Sequence, residues 1–248
     1  MPRRQAASIS NEEIAQFSRH AEDWWRADGP FRPLHKLNPV RLAYIRDQAC
    51  GHFGRDPQAR FSLENLQILD AGCGGGLLTE PLARLGGRVS GLDASQESIA
   101  VAAAHAEASG LSIQYEVGSL EDLAQDKKRY DLITALEIVE HVADLDSFLH
   151  ALVRLLKPRG LLIMSTLNRT PKSFLLGIIA AEYILGWVPK GTHQWLKFLR
   201  PSELSGRLEK EGLQTSDVTG LVFNLLRGEF ELRDDLAVNY LLAARRAR

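Results

Sequence analysis

Leu66-Gln67-Ile68-Leu69-Asp70-Ala71-Gly72-Cys73-Gly74-Gly75-Gly76 decides the fold. An apolar run ends in an acid and then in a loop with four glycines. Leu77, Leu78, Leu82 and Leu85 follow at helical spacing. The pattern is that of a buried strand feeding a helix through a turn that a Cβ would obstruct. Glycine there lets the backbone approach a ligand closely, and the helix N-terminus offers free N–H donors.

A dinucleotide-binding loop requires G-x-G-x-x-G. Here Leu77 stands where the third glycine should be. Asp70 at the strand end would repel a pyrophosphate, but it suits a cation such as the α-ammonium of a methionine-type ligand. Asp93 ends the next apolar run, Val89-Ser90-Gly91-Leu92-Asp93. It lies about twenty residues downstream, the spacing at which such folds hold a ribose diol. Acid, glycine loop and second acid resemble the class I S-adenosylmethionine (SAM) methyltransferases. On that resemblance Gly72 and Gly74 lie against the cofactor. The plainer reading is a generic α/β turn with two capping aspartates.

The chain has 248 residues, enough for one α/β domain with additions. A net charge of −1 points to no nucleic-acid partner. Two cysteines, Cys50 and Cys73, make no disulfide framework and fit a reducing compartment. Arg3 and Arg4 precede no apolar core of a signal peptide, so no secretory signal is expected. No uncharged run reaches the roughly 18–20 residues of a membrane span.

Residues 1–10 read as a frayed tail, followed by a helix that opens at Ser10 or Asn11 and carries Trp24 and Trp25. That pair reads first as core packing and second as the wall of an apolar-substrate pocket. Asn38-Pro39 is expected to start another helix, with Asn38 as cap. Arg41 on it is a surface arginine or a clamp on a carboxylate. Residues 51–65 read as loop. Strands are expected near 66–71, 88–93, 112–117, 130–136, 160–166, 213–222 and 236–244. Helices are expected near 77–86, 96–109, 144–157 and 202–211. Such alternation implies a mostly parallel doubly wound sheet with binding at the carboxyl ends of the strands. A loop with Arg227-Gly228-Glu229 at its tip separates the last two strands, which are expected to form an antiparallel hairpin. Lys157-Pro158-Arg159-Gly160 reads as a tight turn.

Tyr130 to Leu136 is a mainly apolar strand; Glu137, Glu140 and His141 then arrive within five residues. If the backbone turns helically there, all three project to one side. The set is compatible with a divalent ion, with a general base acting on a phenolic hydroxyl, and with plain anchoring of the next helix. After strand three, Ser119 and Leu120 stand in the loop that meets the adenine in methyltransferases; Glu121 and Asp122 there read equally as an acidic surface turn. Residues 172–193 form an apolar insert, interrupted by Glu182 and flanked by Lys172 and Lys190. It suits interfacial membrane docking or a lid over the substrate. His193 at its end is a second base candidate.

Several stretches together resemble the ubiquinone-biosynthesis O-methyltransferases. They are Trp24-Trp25, Pro33 to Leu42, Asp70 to Gly76, Glu137 to Val142, Ser165 to Arg169, Ala181 to Leu185, Pro189 to His193 and Val238-Asn239-Tyr240. The resemblance spans nearly the whole chain after the tail. It implies a Rossmann-like α/β fold: a seven-stranded, mostly parallel sheet with a C-terminal antiparallel hairpin, N-terminal helices and an apolar helical insert after strand five. Residues 1–65 would pack on a catalytic domain at 66–248 that contains the insert. By position, Arg41, Gly72, Asp93 and Leu136 would contact SAM, and Glu137, Glu140 and His141 match a Mg²⁺ site. The acceptors implied are a polyprenyl catechol and a demethylubiquinol. The place implied is the cytoplasmic face of the inner membrane, in contact with a ubiquinone-biosynthesis complex. The alternatives are a SAM-dependent methyltransferase for another apolar small molecule and a non-catalytic SAM-binding scaffold.

Overall fold

A computed structural model describes residues 18, 20–174 and 195–246. The expected tail, the start of the first helix, and the insert from residue 175 through His193 lie outside the described residues, and Trp24 and Trp25, expected on that helix, follow a 3-10 turn instead. The described chain begins as a strap with a single 3-10 turn at Ala21–Asp23. It continues into α1 (Arg32–Phe53), β1 (Gln67–Ala71), α2 (Thr79–Arg84), β2 (Arg88–Asp93), α3 (Gln96–Ala108), β3 (Gln114–Val117) and α4 (Leu120–Leu123). The second half holds β4 (Tyr130–Leu136), α5 (Leu145–Leu155), β5 (Leu156–Leu167), α6 (Pro201–Lys210), β6 (Leu213–Asn224), β7 (Glu229–Arg233) and β8 (Asn239–Arg246).

The sheet has eight strands in the order β3-β2-β1-β4-β5-β8-β6-β7. β1 to β5 are parallel neighbours; β8 runs antiparallel between β5 and β6. The order reverses beside β1, so a crevice opens at the carboxyl ends of β1 and β4. Side chains alternate between two cores, as period two dictates. Ile68, Leu132, Ile163 and Leu241 face the side covered by Ile45 of α1 and Leu82 of α2. Leu69, Ile133, Leu162 and Leu242 face Phe148 and Leu152 of α5 and Leu204 and Leu208 of α6.

Four details depart from the sequence reading. The strand count is eight: the turn at Gly228 joins β6 to β7, an additional edge strand, and β8 enters between β5 and β6. Helix α1 starts six residues before Asn38, with Pro33 in its first turn and Pro39 inside it. Asn38 therefore caps nothing; its amide donates across to the Leu77 carbonyl at 3.0 Å. Lys157 to Gly160 turns as expected, but as a bulge inside β5 rather than before it: the register with β4 jumps from Tyr130–Leu156 to Leu132–Leu161, and a Cβ on Gly160 would stand 2.6 Å from Leu156 Cγ.

Candidate active site

The glycine loop joins β1 to α2. Gly72, Gly74 and Gly76 take φ of 75°, 52° and 86°, the left-handed region in which a Cβ is strained. A Cβ on Gly72 would also stand 2.5 Å from Ile138 Cδ1, so the loop and the acid-bearing segment after β4 pack together. Asp93 closes the far side. Its Oδ2 accepts from the Gly74 amide at 2.9 Å and its Oδ1 from the Ser95 amide at 2.8 Å. Burial raises its pKa, opposed by those amides. The carboxylate stays oriented at the end of β2, with lone pairs left to accept hydroxyls.

Asp70 lies deeper. It is 3% exposed and accepts hydroxyls from Thr79 at 2.7 Å and Thr134 at 2.8 Å. Burial pushes its carboxyl up to about 6 against those two hydrogen bonds. Thr79 and Thr134 were not singled out in the sequence. The signal for Thr134 was a hydroxyl in an otherwise apolar buried strand.

Arg41 comes from the other direction, on α1. Its buried guanidinium has Nη2 2.7 Å from Glu137 Oε1, a close charge contact. Yet Nε and Nη2 form no hydrogen bond with any described residue. The same Glu137 oxygen accepts from Ser165 Oγ at 2.7 Å and from Asn239 Nδ2 at 3.1 Å. Glu137 itself has φ of 51°, an uncommon value for a residue with a side chain and one that marks stored strain.

That φ breaks the helical turn assumed for Glu137, Glu140 and His141. A 3-10 turn, Val139–His141, starts only afterwards. Glu137 bonds Ser165, whereas Glu140 accepts from Thr166 Oγ1 at 2.8 Å. Ser165 and Thr166 are successive residues of β5, so they project to opposite faces of the sheet. The two carboxylates take different hydroxyl partners and the single helical turn expected for the three side chains is corrected, although the Glu137 charge still reaches Glu140. Among the described residues no group of three His, Cys, Asp or Glu side chains is placed to hold a metal ion. In this geometry the set does not fit the expected Mg²⁺.

Glu140 is 3% exposed, and its Oε1 has no hydrogen-bond partner. Burial, and after it the Glu137 charge, push its carboxyl up to about 7. His141 lies beside it on the same turn and is itself largely buried. Ser119 caps α4, its Oγ accepting from the Asp122 amide at 3.1 Å, and Leu120 is buried beneath. Leu136 ends β4 and packs against the α1-side core. Trp24 and Trp25 lie on the glycine loop, where Trp25 Nε1 donates to the Gly75 carbonyl at 2.9 Å.

SAM fits these residues: a buried arginine with an unpartnered Nε, a glycine loop closed against side chains, and a carboxylate held at the end of β2. Fold and site define a class I SAM-dependent methyltransferase. A family model described as "Methyltransferase domain" matches residues 69–164. In structure the chain is similar to a Synechocystis magnesium protoporphyrin IX methyltransferase with bound SAH, with a TM-score of 0.64 and 22% identity, covering 96% of this chain and 100% of that one. It is 48% identical over 239 residues to the ubiquinone biosynthesis O-methyltransferase of Methylobacterium nodulans, covering 96% of each chain. It is 50% identical over 244 residues to that of a Chelativorans species, covering 98% of this chain and 96% of the relative. The chain belongs to the ubiquinone biosynthesis O-methyltransferase family, and its activity is SAM-dependent O-methyl transfer.

Proposed function

We propose that the acceptors are a polyprenyl catechol or hydroxyphenol and a demethylubiquinol. The observation that carries the site reading is Arg41: a buried guanidinium close enough to Asp70 to act on its charge, paired to Glu137 through Nη2, with Nε unpartnered among the described residues. A carboxylate is the ligand group that such a fork receives in two parallel bonds. Arg41 then holds the amino-acid end of SAM and Asp93 its ribose. Gly72 and Gly74 give the backbone close approach, Leu136 contributes an apolar contact, and Ser119 and Leu120 line the adenine end. Asp70, beneath the loop, faces the positive end of the methionine moiety.

SAM supplies an electrophilic sulfonium methyl. The chain supplies alignment and a base. Glu140, with one oxygen unpartnered in a low-dielectric setting, takes the proton of the acceptor hydroxyl; His141 is the neighbouring candidate. Glu137 acts indirectly, by holding Arg41. Methyl transfer from sulfonium to phenolate neutralises charge, so a water-poor pocket and in-line positioning favour it.

Residues 1–65 are read as packing on the 66–248 catalytic domain. Among the described residues no helix is long and apolar enough to cross a membrane. We place the 172–193 insert at the cytoplasmic face of the inner membrane, where a prenyl tail would leave the site, beside other enzymes of the pathway. The test is methyl transfer from labelled SAM to a short-tailed demethylubiquinol, with EDTA and then with added Mg²⁺. Transfer supports the acceptor class, and SAM binding without transfer to either acceptor overturns it. Activity that EDTA abolishes and Mg²⁺ restores would show that the carboxylates rearrange around a metal.

A further inference from the structure

We propose that Trp24 is a positioning residue for the cofactor, acting through the Gly74 amide on Asp93. This rests on the reading of Asp93 as the ribose acceptor.

The Trp24 ring lies flat against the glycine loop. A Cβ on Gly74 would stand 2.5 Å from its Cη2 and Cζ2, and one on Gly75 2.3 Å from its Cγ. The ring stacks on Phe31 with centroids 3.7 Å apart and its Nε1 donates to Ser98 Oγ at 3.2 Å, while the Trp24 backbone carbonyl accepts from His35 Nε2 at 2.9 Å. Trp25 completes the grip. Its indole donates to the Gly75 carbonyl and stacks on His105 at 3.5 Å, and His105 Nδ1 lies 2.6 Å from the buried Glu80 carboxylate.

Three successive glycines have more conformational freedom than any other tripeptide, and a ligand that orders them must offset that entropy. The two tryptophans order Gly74 and Gly75 beforehand. The Gly74 amide, so held, donates to Asp93 Oδ2 at 2.9 Å and sets the carboxylate that meets the ribose. The strap is continuous with α1, so one N-terminal unit aligns the ribose end through Trp24 and delivers Arg41 to the carboxylate end.

The experiment is calorimetric binding of S-adenosylhomocysteine and of its 2′-deoxyribose analogue to the wild type, Trp24→Ala and Trp24→Phe. Thermal melting without ligand accompanies each titration. The wild type should prefer the intact ribose by about tenfold or more, the value of a hydrogen bond to a charged group. Trp24→Ala should lose roughly tenfold affinity for the intact ligand and much less for the deoxy analogue, so the preference collapses. Trp24→Phe, which keeps a ring against the glycines, should retain most of it and serves if the alanine variant fails to fold. Equal loss for both ligands, or a Trp24→Ala affinity within twofold of wild type, overturns the proposal while leaving Asp93 in place. A wild type indifferent to the 2′-hydroxyl overturns the Asp93 reading and the proposal with it.

Discussion

Arg41 Nη2 and Glu137 Oε1 stand 2.7 Å apart, a close ion pair at a buried guanidinium. The pair holds the guanidinium by charge and leaves Nε without a hydrogen-bond partner among the described residues. Arg41→Lys should therefore weaken SAM binding by about tenfold or more, since a point charge cannot form the two parallel bonds. Glu137→Ala should destabilise the ligand-free protein by roughly 3 kcal/mol, because it strands a buried cation, and SAM should restore part of that loss. Calorimetry and urea unfolding with and without SAM check both.

Asp70 and Glu140 predict an unusual pH dependence of stability. Both folded-state pKa values are raised, to about 6 and about 7, from ordinary values of 3.8 and 4.5. Between those limits the folded protein holds more protons than the unfolded chain, so stability falls as pH rises. The loss continues through the Glu140 pKa of about 7 and is complete about one pH unit above it. Ligand-free protein should unfold at lower urea at pH 8 than at pH 5. Asp70→Asn should remove on the order of 1 kcal/mol of that difference, because only the part of its titration between pH 5 and its folded pKa of about 6 falls in this window. A stability flat across this range in the wild type would show that the two carboxyls are not so perturbed.

Glu140 as base gives a kinetic signature. The kcat/KM for methyl transfer should fall tenfold per pH unit below an apparent pKa near 7. Glu140→Gln keeps the Thr166 hydrogen bond and the volume, and should cut kcat by about a hundredfold or more with little change in the KM for SAM. If Glu140→Gln keeps its rate and His141→Ala loses it, the base is the histidine.

Gly76 tests the loop from its back. Its φ is 86°, and an added Cβ would meet the Tyr115 hydroxyl at 2.5 Å. Gly76→Ala should destabilise by about 1–3 kcal/mol through strain and clash together. Adding Tyr115→Phe removes the atom in the way and should recover the clash but not the strain. A double-mutant cycle in urea should therefore show positive coupling.

What the sequence made legible was local. The apolar runs, the glycine turn and the acid at the end of β2 are each written in consecutive residues, and the sheet assembled from them as expected. Strand β7 was hidden because Glu229-Phe230-Glu231-Leu232-Arg233 is charged, short and at the sheet edge, where one neighbour suffices. The start of α1 was misplaced because Pro33 and Pro39 both suit a first helical turn, and only packing decides between them. The different partners of Glu137 and Glu140 were beyond reach: they follow from a left-handed glutamate and from which β5 hydroxyl each acid meets. Of the resemblance-based positions, Arg41 came to Glu137 and Asp93 to the glycine loop, as their spacing alone could not show.

The position of β8 bears on how the chain comes off the ribosome. Asn239–Arg246 is the last described strand in sequence, yet it pairs with β5 on one side and β6 on the other. Until residues 239–246 emerge, the Leu161–Leu167 edge of β5 and the inner edge of β6 have no neighbour. The parallel half can pair earlier, but the sheet cannot close in the order of translation. A nascent chain stalled short of residue 239 would display two open strand edges, that of β5 strongly apolar, the form most exposed to aggregation and to chaperone capture.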